Sequence, residues 1–368
     1  MKKSLTLLAC IMTAALVLSC TKTESAANTK KETHVVVDHN GRDVVLPVNI
    51  ERVVMISPMP LPSIYCLFMG GTDKLVGMHP SSMAAAQNSY LKTVYPDVVN
   101  IPTDFVRNGS VNAEELLKLK PDVVFYLASD KALEELLMNA GITSFAFSTS
   151  ISPTSSTIET YSKWIEKFGE IFGDTGRAEA IIKYGQEVEK KVSERVARID
   201  EKDKKSVLML YMYDDTQMQT SGVNFYGDYW INAAGGINVA KDLTGPNAIS
   251  MEQVYTWNPD AIFVTNFSPR LPEDFYNNSI SGTDWSVVKA VREKNVHKFP
   301  LGMYRWFPPS SDTPLCLQWL AKTLYPDVFS DIDMDAEIKS YFKKFYGVEL
   351  TDENLNDIYH PSRAASGK

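Results

Sequence analysis

Residues 112–128, NAEELLKLKPDVVFYLA, and residues 250–266, SMEQVYTWNPDAIFVTN, are two versions of one pattern. Each opens with the residues of a capping box, Asn112 with Glu115 and Ser250 with Gln253. Each runs a short helix into Pro-Asp and then into an apolar strand. The spacing is the same, Glu114 to Pro121 and Glu252 to Pro259. Upstream the echo continues, with ERVVMIS (51–57) matched by KSVLMLY (205–211). Alternation of buried-type strand and helix, met twice, predicts an α/β chain of two Rossmann-like lobes with mainly parallel sheets.

Between the halves the apolar spacing is helical. Ile158, Tyr161, Ile165, Phe168 and Phe172 share one face. Ser152 and Pro153 form an N-cap and first-turn pair. Past Gly173-Asp174, the residues Ile181, Val188, Val192, Val196 and Ile199 continue on a second helix. A helical linker resists the large hinge motions that extended connections permit.

The N-terminus reads as an export signal. MKK is a positive start, LTLLACIMTAALVL an apolar core, and LVLSC resembles a bacterial lipobox ending at Cys20. The expectation is cleavage before Cys20, lipidation of its thiol, and a polar tether that holds the protein to the outer face of the cell membrane. No later apolar run reaches the roughly 20 residues of a spanning helix. The expected organisation is therefore 1–20 signal, 21–34 tether, 35–150 first lobe, 151–204 helical linker, 205–350 second lobe and 351–368 tail. Asn40-Gly41 suggests a type I′ hairpin within THVVVDHNGRDVVLP. Cys66 and Cys316 sit inside helical patterns and read as buried free thiols.

The 368 residues carry a formal charge of -8, with 44% hydrophobic and 22% charged residues. No basic face stands out, which argues against a nucleic-acid partner. There is no Cys/His cluster with zinc spacing, no phosphate-cradling glycine loop and no Gly-x-Ser-x-Gly.

In order along the chain, ERVVMISPMPLPSIYCLFMGGTDKLVGM, NAEELLKLKPDVVFYL, NFYGDYWINAAGGINVA and SGTDWSVVKAVREKNVHKF resemble the helical-backbone periplasmic binding proteins of ABC importers for ferric siderophores, haem or cobalamin. The resemblance covers about Val35 to Tyr346. It implies a monomeric binding protein, with no catalysis and no cofactor of its own, that holds a metal chelate between its lobes and presents it to a permease and its ATPase. It also implies acidic docking residues. Asp228 matches in the second lobe, whereas Pro62 and Ser63 stand where the family places a first-lobe glutamate.

Ligands of open α/β sheets lie beyond the carboxyl ends of the strands. That rule selects the loops at Pro58–Pro62, His79-Pro80, Pro102–Arg107, Ala128-Ser129, Tyr213–Gln217, Asn266-Phe267 and Met303–Phe307. His79 is the candidate metal ligand, suited to nickel, cobalt or zinc, or to capping an iron chelate. Arg305, and Arg107 from the opposite lobe, are candidate partners for an anionic shell. Tyr304, Trp306, Phe105, Tyr226 and Phe267 offer flat walls, with Met59 and Met303 as adaptable apolar lining. Trp230 reads as core. The expected cargo is an iron chelate or a small nickel- or cobalt-type chelate, with haem or a corrinoid as the alternative. An oxyanion such as molybdate is less favoured, because its site needs few aromatics. An envelope enzyme of the metal-chelatase kind is the reading from another class, and no acid/base or nucleophile constellation supports it.

Overall fold

The computed structural model describes residues 32–151 and 156–366. The signal, Cys20, the tether up to residue 31 and the Ser152-Pro153 pair lie outside these residues. Thr33–Val37 (β1) and Asp43–Pro47 (β2) pair antiparallel, so Thr33 and His34 are strand rather than tether. A two-residue type I′ turn does not join them. Five residues do, because the buried Asp38 carboxylate closes a wider loop. It accepts the backbone N–H groups of Asn40 (2.9 Å) and Arg42 (3.0 Å) and pairs with the Arg42 guanidinium at 2.7 Å.

The first lobe runs Val53–Met55 (β3), Leu61–Met69 (α1), Leu75–Met78 (β4), Pro80–Asn88 (α2), Leu91–Val94 (α3), Val106–Arg107 (β5), Ser110–Val111 (β6), Ala113–Lys118 (α4), Val123–Leu127 (β7), Lys131–Asn139 (α5) and Ser144–Phe147 (β8). Its parallel sheet has the order β4-β3-β7-β8. Two long helices follow, Thr157–Phe172 (α6) and Thr175–Val196 (α7). The second lobe comprises Ser206–Tyr213 (β9), Met218–Ser221 (β10), Tyr226–Ala233 (α8), Ile237–Asn238 (β11), Pro246–Ala248 (β12), Met251–Trp257 (α9), Ala261–Val264 (β13), Pro272–Tyr276 (α10), Lys289–Arg292 (α11), Val296–Lys298 (β14) and Thr313–Leu324 (α12). Met334–Tyr346 (α13), Asp352–Tyr359 (α14) and a 3-10 turn over Arg363–Ser366 complete it. β9, β13 and β14 are parallel, while β10 and β12 extend the sheet antiparallel. The segment read as a tail is thus mostly helix.

The repeated pattern forms the same device twice. Lys120 and Asn258 end their helices at positive φ (46° and 39°), directly before Pro121-Asp122 and Pro259-Asp260. Each aspartate then receives the backbone at the foot of the lobe's central strand. Asp122 accepts Arg52 N–H at 3.0 Å, and Asp260 accepts Ser206 N–H at 2.8 Å. The caps differ in one respect. Ser250 and Gln253 make a reciprocal capping box, whereas Asn112 caps alone and Glu115 pairs with Lys118 instead.

One apolar core runs through both lobes. Val53, Met55 and Phe125 of the first sheet meet Ile165 and Phe168 of α6, and the same cluster continues to Met209, Phe263 and Trp306 of the second. The outer face of each sheet has its own smaller core, around Leu116 and Leu137 in the first lobe and Trp285 in the second. Cys66 and Cys316 are free and fully buried. Among the described residues no helix is long and apolar enough to cross a membrane.

His39 ties the β1–β2 connection to the first lobe. Its N–H donates to Ala146 at 3.2 Å, and its Nδ1 accepts Ser148 N–H at 3.0 Å. Burial is the chief cause that lowers its pKa to about 4. The folded state therefore takes this proton later than the unfolded state, and stability is lost as pH falls from 6.5 towards 4. Asp312, raised by burial to about 7, works in the opposite sense over the same range. The informative quantity is thus a difference. Urea unfolding at pH 7 and pH 5 should show His39→Gln losing about 1–2 kcal/mol less than the wild type on acidification. Parallel losses in the two chains would remove His39 from the explanation.

Candidate functional site

The loop Met303–Phe307 sits where sequence placed it, after β14, but it does not face water. Met303, Tyr304, Trp306 and Phe307 are buried, and Arg305 alone is partly exposed. The cause lies in the residues that follow. Asp312, at the head of α12 and wholly buried, turns its carboxylate back onto the loop and accepts Tyr304 N–H at 3.0 Å. The loop is folded down onto its own helix, and its aromatics go with it. Trp306 packs edge-to-face on Trp319 at 6.2 Å, so Trp306 and Met303 are core rather than cleft wall. The Tyr304 phenol is buried beside Arg305; burial raises its pKa although the guanidinium pulls the other way.

Arg305 is thereby aimed outward. Its guanidinium lies 4.5 Å above the Phe267 ring. The rings of Tyr211, Phe225, Tyr226 and Phe307 surround that pair. Tyr211 stacks on Phe307 at 5.4 Å and Phe225 on Tyr226 at 5.1 Å, while Phe267 meets Tyr211 at 5.3 Å. Phe307 is buried; the other rings are half-buried. Burial raises the Tyr226 pKa to about 12, and the nearby Thr149 side chain of the first lobe pulls the other way. Close by, buried Lys298 donates to the carbonyls of Thr265 (2.8 Å) and Arg270 (3.1 Å). Burial, and then the charges of Arg305 and Arg363, hold its pKa down to about 7.

Sequence reasoning missed Tyr211 and Phe225. The signal for Tyr211 is the strand period: Val207, Met209 and Tyr211 share one face of β9, and Tyr211 is the one nearest the carboxyl end. The expected loop Tyr213–Gln217 is instead a tight connection from β9 to β10, closed by Asp214 N–H to the Gln217 carbonyl at 3.0 Å.

On the first lobe, a cavity of about 390 Å³ lies at the carboxyl ends of β3 and β7. Ser57, Met59, His79, Ser110 and Asp130 contribute to its lining. His79 is the N-cap of α2, and its Nδ1 accepts Ser81 N–H at 3.0 Å. Burial lowers its pKa, so the ring is neutral at neutral pH. A neutral imidazole that accepts at Nδ1 carries its proton on Nε2. That nitrogen has no lone pair for a metal in this tautomer. With Nδ1 spent on the helix cap, His79 presents an N–H donor.

The other expected residues separate. Phe105 is buried in the outer core of the first lobe, against Val54 and the close-packed backbone at Gly77. Arg107 is exposed on β5, the strand paired with the one that lines the cavity. Asp228 is half-buried, and its carboxylate accepts Asn238 Nδ2 at 2.8 Å, which ties α8 to β11. Trp230 is core, with Nε1 donating to the Phe307 carbonyl at 2.7 Å. Among the described residues, no three His, Cys, Asp or Glu side chains gather as a metal-binding group. Each lobe thus offers a donor, His79 in the first-lobe cavity and Arg305 on the second.

Known proteins share this architecture. The profile of the periplasmic binding protein family matches residues 53–300, more than half the chain. The crystal structure of a periplasmic solute binding protein from Veillonella parvula superposes with a TM-score of 0.81 at 33% identity, covering 89% of this chain and 97% of that one. The molybdate-binding protein MolA of Haemophilus influenzae is 26% identical over 339 residues, 87% of this chain and 93% of the relative. Its molybdate-bound structure superposes with a TM-score of 0.73 at 25% identity, covering 86% and 99%. A substrate-binding lipoprotein of Bacillus subtilis, YvrC, is 26% identical over 333 residues, 88% of this chain and 96% of the relative. This chain belongs to the periplasmic binding protein family, as an extracytoplasmic substrate-binding protein of an ABC importer and not as an enzyme.

Proposed function

We propose that this protein, lipid-anchored through Cys20 and acting as a monomer, captures an oxygen-rich anion that carries a metal and delivers it to a permease. The observation that carries the reading is the donor set. Arg305 offers a guanidinium fork over Phe267, and neutral His79 offers an N–H. Such groups recognise oxygen atoms around a metal rather than the metal itself. The half-buried rings of Tyr211, Phe225, Tyr226 and Phe267 suit the organic shell of an iron, nickel or cobalt chelate. A bare oxyanion is the second reading. Similarity to a molybdate-binding protein over 87% of this chain favours it.

Calorimetric titration with ferric citrate, nickel citrate and sodium molybdate separates the two forms. Arg305→Ala should weaken whichever anion binds by about 2–4 kcal/mol, because an ion pair in a partly dry cleft is lost. Unchanged affinity for every anion that the wild type binds would reject Arg305 as the anchor.

The donor reading of His79 makes a separate demand. Aqueous Ni²⁺ or Co²⁺ without a chelator should bind wild type and His79→Ala alike, while the bound anion loses about tenfold in affinity from the same substitution, roughly one hydrogen bond. A bare-metal affinity that disappears with His79 would restore the ligand role.

A further inference from the structure

Arg305 is already occupied. Its Nε and Nη2 donate to the carbonyl oxygen of Ala365, at 3.3 and 3.1 Å. That carbonyl belongs to the 3-10 turn Arg363–Ser366 at the end of the described chain. Here Ala365 is 3% and Ser366 8% exposed. The turn lies against both lobes. Arg363 grips Asp274 of the second lobe through two contacts of 2.7 Å and donates to the Pro269 carbonyl at 3.1 Å. On its other side the turn packs against α2 of the first lobe, the helix that His79 caps. The turn therefore bridges the two donor walls, with a carbonyl oxygen set on the guanidinium.

We infer that the C-terminal turn Arg363–Ser366 is a strap that holds the anion's place on Arg305 and must leave before cargo binds there. The inference rests on the reading of Arg305 as the anion anchor. Chemically the exchange is simple. A neutral carbonyl oxygen satisfies the fork in the free protein, and a charged oxygen makes a stronger bond with the same fork. The strap then acts as a threshold. Apparent affinity is the intrinsic affinity reduced by the fraction of molecules with the strap released. A ligand that offers one weak oxygen does not displace it; an anion that engages both arms of the fork does. The position of Arg363 adds to this. It brings a second cation close to Arg305 and Lys298, with Asp274 as its partner. Release of the strap takes a positive charge away and leaves Asp274 without that partner, so it opposes anion binding and raises the threshold.

Hydrogen exchange of the C-terminal peptide, read by mass spectrometry in the full chain without ligand, tests the contact directly. The amides of residues 363–366 should be protected in the wild type and exchange at least about tenfold faster in Arg305→Ala. The functional arm compares full-length protein with a chain ending at Pro361, titrated with sodium molybdate and with ferric citrate. Truncation should tighten binding of the preferred anion about tenfold, and Arg363→Ala, which keeps the turn but loosens its anchor, should shift affinity in the same direction by less. Exchange that is already unprotected in the wild type overturns the strap, as does protection indifferent to Arg305→Ala, or an affinity that stays level or falls when the turn is removed or loosened. The anchor fails differently: the tail stays protected and Arg305-dependent, yet Arg305→Ala in the truncated chain leaves anion affinity unchanged.

Discussion

The carboxyl group of Asp312 is the constraint on which the cleft depends. It is buried and, among the described residues, has no counter-charge, so burial lifts its pKa to about 7. In return it accepts the Tyr304 N–H and so fixes the loop that carries Arg305. The neighbouring residues extend its reach. Ser311 N–H approaches Ser63 Oγ of α1 at 3.4 Å, and Tyr341 of α13 donates its hydroxyl to the Ser311 carbonyl. Tyr90 N–H of the first lobe meets the Gly302 carbonyl at 2.8 Å, one residue before the loop. A Cβ on Gly302 would come within 2.9 Å of the Asp312 carboxylate and 2.8 Å of Trp306 Nε1, so the close approach needs glycine. Loop, helix start and lobe contact form one polar knot, and an isolated buried carboxylate is tolerated because the knot uses it.

From that knot follows the chemistry of the site. A loop pinned by backbone bonds has little freedom to let its aromatics face solvent, so Arg305 becomes its only outward group. On the opposite wall the same logic holds for His79. An imidazole used as a helix cap spends Nδ1 on a backbone amide, and its remaining nitrogen is a donor by default. Two structural duties, one loop anchor and one helix cap, thus leave a pair of donors. On the proposed reading, the site favours oxygen because these two groups are donors, not because it holds many charges.

Much of the architecture was legible in the sequence because its causes are local. The Pro-Asp repeat reports a helix end at positive φ and an aspartate that receives the next strand, and both are properties of adjacent residues. The linker's apolar face was likewise a period count, and Ile158, Tyr161, Ile165 and Phe168 are buried as a set. The site was less legible because burial is decided at a distance. Whether Trp306 faces a cleft or a core depends on which way Asp312, six residues later, turns its side chain. The Asn40-Gly41 turn shows the same limit at short range. The pair is compatible with a tight turn, but the Asp38 carboxylate offers a better closure three residues wider. Position along a strand was readable; the partner that a polar side chain chooses was not.

The linker and the knot together restrict how selection can work. α6 and α7 belong to one core with both sheets, and α13 adds contacts from Phe342 to Tyr90 and from Tyr346 to Tyr95 of the first lobe, at 5.9 and 6.4 Å. Opening the lobes as rigid bodies would break the Ser63, Tyr90 and α13 contacts at once and expose apolar surface shared by both halves, which is costly. The inexpensive motions are those of groups held by a few polar contacts at the rim: the Arg305 fork, the His79 ring and the terminal turn between them. On the proposed reading, discrimination among anions then falls on exchange of individual hydrogen bonds within a nearly fixed frame rather than on closure of the frame around the cargo.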